Sequence, residues 1–373
     1  MRAPVADAPS RRRPTHRPGG TSYAGVMISV QAVALDDARA RTWWDEQQAE
    51  LRTRYGGEED AEADFASTMD PRDVIVSLLA SDNAGEPVGT GMIRWAPEAY
   101  GVGAGAAEVK RLYVRPEHRG EGYSRVIMGA LERAAFRAGA TRIVLETGTE
   151  QPEALGLYHA IGYDRRPNFG PYAHDPRSVC LVKDLPTRVL VLNGTMGAGK
   201  TEIASAVFDV LAGAGARVAA IDVDWLCAAS PAPATDRFNE GLAFANLAAV
   251  APVYRARGIG LVVVARPIED PAGRDRFAAA FAHPDAGPAQ VAVVRLEASE
   301  AVRQERLRAR ESAEFYETFA RARTGELAAS IVQADVDDAV VANDGRDRMD
   351  VALEVLEASD WWPLPSLDSQ GWM

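Results

Sequence analysis

At 373 residues, the chain exceeds what one ordinary core accommodates, and a typical domain size of about 150 residues points to two domains. Apolar residues make up 47% and charged residues 25%, which excludes a disordered or fibrous chain. Lys plus Arg total 41 against 53 Asp plus Glu, a net charge of -12, and this argues against a dedicated nucleic-acid binder, whose surface must neutralise phosphates. Two cysteines, Cys180 and Cys227, are too few for a disulfide scaffold and fit a reducing, cytoplasmic setting. No apolar run approaches the roughly 20 residues of a membrane helix, so no membrane partner is expected.

Residues 1–26 are rich in Pro, Gly and Arg, lack a hydrophobic period, and read as a disordered tail, with Met27 a second candidate start. Residues 36–54 predict a helix capped by Asp36 or Asp37 and stopped at Gly56-Gly57, with Trp43 and Trp44 as core anchors. The acidic run 58–64 reads as a solvated loop. A hairpin follows, Val74 to Ala80 and Pro87 to Trp95, joined across Asp82-Asn83-Ala84-Gly85. Beyond a Gly/Ala-rich loop at 101–107 come a strand over 108–114, a helix over 122–138 closed by Gly139, a strand over 141–146, a short helix over 152–160 and a strand over 179–182. The pattern changes at Lys183-Asp184-Leu185-Pro186. Thereafter short apolar strands (Val189–Leu192, Val218–Ile221, Leu261–Val264, Val291–Leu296, Val340–Ala342) alternate with helices, which predicts a parallel sheet covered on both faces. The expected organisation is a tail (1–26), a mixed α+β domain (27–185), a parallel α/β domain (187–360) and a C-terminal tail (361–373) that docks loosely or not at all.

In the first domain, the strand ending at Val114 leads into Arg119-Gly120-Glu121-Gly122-Tyr123-Ser124 and then a helix. Glycines let several backbone N–H groups converge, and a helix N-terminus adds positive partial charge, a geometry suited to pyrophosphate. Alone, this spacing fits a structural turn equally well. With Glu108-Val-Lys-Arg-Leu-Tyr-Val114 before it and Leu157-Tyr-His-Ala-Ile-Gly-Tyr163 after it, the region resembles the GNAT superfamily of N-acetyltransferases over roughly residues 27–185. The resemblance implies that Arg119, Gly120, Glu121, Gly122, Tyr123 and Ser124 bind the pyrophosphate of acetyl-CoA. It implies that Leu112, Tyr113 and Val114 pair with the pantetheine arm and that Tyr158 protonates the leaving thiolate. Ser124 stands where the family usually has Gly or Ala. Glu108 and Glu146, at strand ends, are candidate bases for an acceptor ammonium or plain surface carboxylates. His118, His159 and His174 lack metal-ligand spacing.

In the second domain, Gly194-Thr195-Met196-Gly197-Ala198-Gly199-Lys200-Thr201 fits G-x-x-x-x-G-K-[ST] between an apolar strand and a helix, the setting of a P-loop. Its amides would cradle phosphates, Lys200 would reach the outer ones, and Thr201 would hold Mg²⁺. Asp222 and Asp224, two apart at a strand end, are expected on one side, one as base for an attacking hydroxyl and the other holding Mg²⁺ through water. Strand Leu261–Val264 ends in Ala265-Arg266 and lacks the acidic residue of a motor-type site. Arg303, Arg306 and Arg310 share a helical face, either to neutralise phosphoryl charge or as a solvated surface. Over residues 187–360 the sequence resembles the small-molecule kinases of the P-loop class, such as adenylylsulfate, gluconate and shikimate kinases. That likeness implies lid roles for Arg306 and Arg310 and places Asn343-Asp344-Gly345 near adenine. The combined expectation is a GNAT-type acetyltransferase fused to an ATP- and Mg²⁺-dependent kinase-like domain, acting on small-molecule amine and hydroxyl acceptors. The alternative is an acetyltransferase gated by a P-loop domain that senses ATP without turnover.

Overall fold

A computed structural model of the chain describes residues 28–56, 69–310, 312–315 and 319–362. The N-terminal tail, the acidic run 58–64 and residues 363–373 lie outside the described residues, as does the side chain of Arg310. The first unit comprises β1 (Ser29–Ala32), α1 (Ala38–Arg54), β2 (Val74–Ser81), β3 (Pro87–Trp95), β4 (Ala106–Val114), α2 (Tyr123–Arg137), β5 (Arg142–Gly148), α3 (Pro152–Ala160), β6 (Asp164–Arg165) and β7 (Ser178–Asp184). Its sheet runs β1-β2-β3-β4-β5-β7-β6. Every neighbouring pair is antiparallel except β4 with β5.

Local chemistry sets these elements as expected. The Asp37 carboxylate accepts from the Arg39 amide to cap α1, and Gly56, at φ 81°, supplies the stop. Trp43 and Trp44 pack against Val33, Ala40 and Leu79. Asp82 accepts from the Ala84 and Glu86 amides to shape the β2–β3 turn. Helix α2 lies across β3 with Ile127 and Leu131 in the core, and a Cβ on Gly91 would stand 2.7 Å from Ile127 and 2.9 Å from Leu131. β1 and β6 escaped sequence detection because four- and two-residue edge strands carry too little period.

The feature that positions the site lies in β4. Its parallel pairing with β5 covers only Ala106–Glu108 against Arg142–Val144. Beyond Glu108 the strands part. β4 carries a bulge: Met92 opposes Lys110 and Thr90 opposes Tyr113, so two residues face one across Gly91, and Arg111 adopts φ 56°. The Thr90 hydroxyl donates to the buried Arg111 carbonyl at 3.1 Å, which locks the bulge.

The second unit comprises β8 (Arg188–Asn193), α4 (Lys200–Gly213), β9 (Val218–Asp222), α5 (Val223–Leu226), α6 (Glu240–Ala256), β10 (Leu261–Ala265), α7 (Gly273–Ala280), β11 (Gln290–Glu297), α8 (Glu300–Arg310), α9 (Arg321–Ala334), β12 (Ala339–Ala342) and α10 (Arg348–Ala358). Its five strands are all parallel, in the order β12-β11-β8-β10-β9. Leu190 and Leu192 face α4 and α10, whereas Val189 and Val191 face α6 and α7. Both faces are covered, as continuous apolar strands require.

The units meet closely at the change of sheet between Asp184 and Arg188. Arg255 at the end of α6 donates to the Leu185 carbonyl at 2.8 Å and the Thr141 carbonyl at 2.6 Å, and pairs with Asp184 at 2.8 Å. A Cβ on Gly105 would stand 2.6 Å from the Gly258 Cα, so the two backbones touch. The expected loose tail requires correction at its start. Trp361 is 2% exposed and packs in the core of the second unit, with the Arg188 guanidinium 4.8 Å from its ring. Asp360, at φ 58°, turns the chain back after α10 so that the Trp361 amide donates to the Leu356 carbonyl at 2.8 Å. Replacing Trp361 with Ala should therefore destabilise the second unit by about 3–5 kcal/mol, read as a lower urea midpoint.

Candidate functional site

Where β4 and β5 part, a cleft of about 370 Å³ opens between the free edge of β4, the turn after it, α1 and α3. Leu112, Tyr113 and Val114 form one wall, and Arg119, Gly120, Gly122, Tyr123 and Ser124 the end where α2 begins. After a short helical turn at Pro116–His118, Gly120 and Gly122 take φ 82° and 85°. Gly122 occupies the cap position of α2 with no side-chain cap, so the first amides of α2 face the cleft end with the positive pole of the helix behind them. Glu121, expected beside them, hydrogen-bonds Tyr123 and holds its phenol above the usual range.

Tyr158, on α3, lines the cleft and is 6% exposed. Burial, then the charge of Glu146, raises its pKa above the ordinary phenol value, with Lys110 opposing. It is therefore a neutral O–H donor at physiological pH. Glu146 is half-buried and accepts from the Ser178 hydroxyl at 2.6 Å.

The free base expected at Glu108 is corrected by its surroundings. Glu108 is fully buried, and Arg94 donates to its Oε2 from Nε at 2.9 Å and from Nη2 at 2.7 Å. Arg94 also reaches the Tyr100 hydroxyl at 3.2 Å, and Lys110 donates to the Tyr172 hydroxyl at 2.5 Å. Glu108 does not line the cleft and is held as a counter-ion. Sequence reasoning missed the α1 wall, where Gln47, Glu50 and Arg54 reach the cleft from one helical face. Their i, i+3, i+7 spacing is the signal that could have found them.

In the second unit the glycine loop joins β8 to α4. Gly194, Gly197 and Gly199 adopt φ 137°, 76° and 94°. A Cβ on Gly194 would stand 2.7 Å from the Leu296 carbonyl oxygen, and one on Gly197 2.8 Å from that of Arg303. Lys200 curls back to donate to the Gly194 and Thr195 carbonyls at 3.0 Å each. The Thr201 hydroxyl donates to Asp222 at 2.8 Å. Arg303 donates to the Thr195 hydroxyl at 3.1 Å, Arg306 to the Asn343 carbonyl at 2.9 Å, and the Asn343 amide to the Ala198 carbonyl at 2.8 Å. Ala198 is buried, and Met196 packs on Leu307 and Ala320.

The expected side-by-side projection of Asp222 and Asp224 from a strand is also corrected. β9 ends at Asp222, whose carboxylate accepts from the Asp224 amide at 3.1 Å and starts α5. Asp224 instead pairs with Arg266 at 2.8 Å and is 72% exposed. Among the described residues no group of three or more metal-ligating side chains forms, both cysteines are free, and no helix is long and apolar enough to cross a membrane.

The family model of the acetyltransferase (GNAT) family matches residues 38–163. The chain is 36% identical over 110 residues to an IAA acetyltransferase of Azospirillum brasilense, covering 30% of this chain and 69% of that protein. A structure described as an acyl-CoA N-acyltransferase of Klebsiella pneumoniae is 32% identical, with 42% of this chain and 97% of that one covered and a TM-score of 0.36. A PaiA N-acetyltransferase of Thermoplasma acidophilum, solved in complex with coenzyme A, is 15% identical, with 42% and 98% covered and a TM-score of 0.31.

The burial of the Arg94–Glu108 pair predicts how it fails. Removing one partner of a buried pair typically destabilises by about 3–5 kcal/mol. Glu108→Gln should lower the denaturation midpoint by a corresponding amount, and a stable variant with only a rate defect would restore Glu108 as a base.

Proposed function

The chain belongs to the GNAT acetyltransferase family, and we propose that residues 28–185 transfer the acetyl group of acetyl-CoA to the amine of a small molecule. The observation that carries the reading is the edge of β4 beyond Glu108, paired with no strand and ending at an uncapped helix N-terminus, with neutral Tyr158 in the same cleft. These residues fit the cofactor, which supplies an activated thioester when bound. The amides of the 119–124 turn hold its pyrophosphate, and the backbone of Leu112–Val114 aligns the pantetheine and polarises the acyl carbonyl. Tyr158, neutral and in the same cleft, would be the proton donor to the thiolate that leaves when the acetyl group passes to the amine. Of the two carboxylates Glu146 is the candidate for the acceptor's proton, because its charge acts on Tyr158 while Glu108 is paired with Arg94; like Glu108 it lies outside the cleft lining, and it accepts from the Ser178 hydroxyl.

Residues 187–362 bind ATP and Mg²⁺ and phosphorylate a small hydroxyl-bearing molecule. Supporting this are the glycine loop at the C-terminal edge of a parallel sheet and the paired oxygens of Thr201 and Asp222, the hard donors Mg²⁺ prefers. Arg306 steadies the loop from α8, Arg310 follows one turn later in sequence, and Asp224, at the start of α5 and paired with the Arg266 guanidinium, is the acidic group left to orient an acceptor. A second reading, an ATP sensor that gates acetylation, draws on Arg255, which ties α6 to the first unit.

Tyr158→Phe should lower the acetyl-transfer rate by about 10²–10⁴-fold and leave CoA affinity nearly unchanged, measured by steady-state kinetics and calorimetry. Because the folded phenol titrates above its free value of about 10, the parent rate should show no alkaline loss from Tyr158 up to about pH 10. Lys200→Ala and Asp222→Asn should each abolish ATP turnover in a metabolite-extract assay, with acetyl transfer intact. Acetylation that collapses in folded Lys200→Ala would select the sensor instead.

A further inference from the structure

Two guanidinium groups converge on one carboxylate inside the cleft. Arg119 donates to Glu50 from Nη1 at 3.0 Å and from Nη2 at 2.5 Å, a bidentate fork. Arg54 donates to Glu50 Oε1 from Nε at 3.1 Å and from Nη2 at 2.8 Å. Its remaining nitrogen pairs with Glu153 at 2.6 Å, at the start of α3. Arg119 is fixed at the end of β4, since its Nε donates to the Val114 carbonyl at 3.0 Å and its guanidinium lies over the Tyr113 ring. One turn earlier on α1, Gln47 donates to the Leu112 carbonyl at 2.9 Å, on the β4 wall. Helix α1 thus satisfies two partners that a pantetheine-pyrophosphate ligand would need. Two arginines gathered on a carboxylate form an anion site, and its occupant here is a side chain of the chain itself.

We infer that Glu50 is a built-in competitor for the cofactor, holding Arg119 and Arg54 closed in the free protein until the pyrophosphate of CoA displaces it. The inference rests on the acetyl-CoA reading of the cleft. The clasp rejects small anions, because a singly charged ion must break a bidentate pair to enter. A pyrophosphate brings two negative groups and the helix amides of the adjoining turn, so it can compete. Once it is seated, Glu50 faces like charge and rotates away. When CoA leaves, Glu50 recloses the fork, which favours product release. Glu50 is held below the usual carboxylate range chiefly by Arg119, so it stays ionised near neutral pH and the clasp opens to ligand, not to acid.

The test is calorimetric titration of the full chain with CoA and, separately, with pantetheine, which lacks the phosphates. Glu50→Gln keeps the shape of the side chain and removes its charge. It should tighten CoA about tenfold and leave pantetheine unchanged. In an Arg119→Gln background the same change should have a much smaller effect, since the fork is already lost. Unchanged or weaker CoA binding by Glu50→Gln, in a protein whose circular dichroism matches the parent, overturns the inference. So does equal tightening of pantetheine. Gly122→Val separates the two levels. If it weakens CoA while Glu50→Gln does nothing, the competitor role alone falls. If the parent does not bind CoA, both fall together.

Discussion

The first unit is organised by a pairing that stops. β4 and β5 are hydrogen-bonded for three residues and then separate, leaving the backbone of β4 without a partner strand on that side. An unpaired strand edge is an exposed row of donors and acceptors, which proteins normally cover or pair. Here both ends of the opening are pinned. At the closed end, the buried Arg94–Glu108 pair ties β3 to β4 where β5 still follows. Further on, the bulge at Arg111 redirects β4, and the Thr90 hydroxyl holds that bulge in place. The parted edge meets the glycine turn of α2 at one end, with α3 and Tyr158 on the opposite wall. A cofactor with an amide-bearing arm and a pyrophosphate head matches that sequence of surfaces.

Much of this was readable beforehand. The Gly120 and Gly122 turn and the Gly194–Thr201 loop announce themselves because glycine adopts the positive φ both loops require without the strain a side chain adds. The elements flanking them followed from hydrophobic period and caps. The misreadings share a physical cause, namely that a side chain's partner came from elsewhere in the chain. Glu108 looks like a strand-end base until Arg94, fourteen residues earlier, is placed against it. Asp222 and Asp224 look like a same-side pair until the Asp222 carboxylate captures the Asp224 amide and ends the strand. Trp361 sits beyond a terminal helix in a Pro- and Ser-containing stretch, and only the left-handed turn at Asp360 brings it into the core.

The two units are joined more firmly than a linker of Leu185, Pro186 and Thr187 implies. Glycine at 105 and 258 allows backbone-to-backbone contact that any larger residue would prevent. Arg255 satisfies two carbonyls and a carboxylate of the first unit, and Arg188 stacks between Phe136 of the first unit and Trp361 of the second. Arg137, at the end of the helix that begins at the proposed pyrophosphate turn, pairs with Asp360 at 2.9 Å. Burying two arginines at this seam is tolerable because each finds carbonyl, carboxylate or aromatic partners. The seam therefore rests on side chains of α6 and of the turn after α10 together with the Gly105–Gly258 backbone contact.

Acetyl-CoA lying along the open edge of β4 would shield the backbone amides there from solvent. Residue-resolved amide hydrogen exchange, with and without saturating CoA, tests it most directly. Slower exchange at the amides of Leu112–Val114 and of the 119–124 turn, with Val144–Glu146 of β5 little changed, is the predicted pattern. Exchange at Leu112–Val114 that stays the same while CoA is demonstrably bound would contradict it.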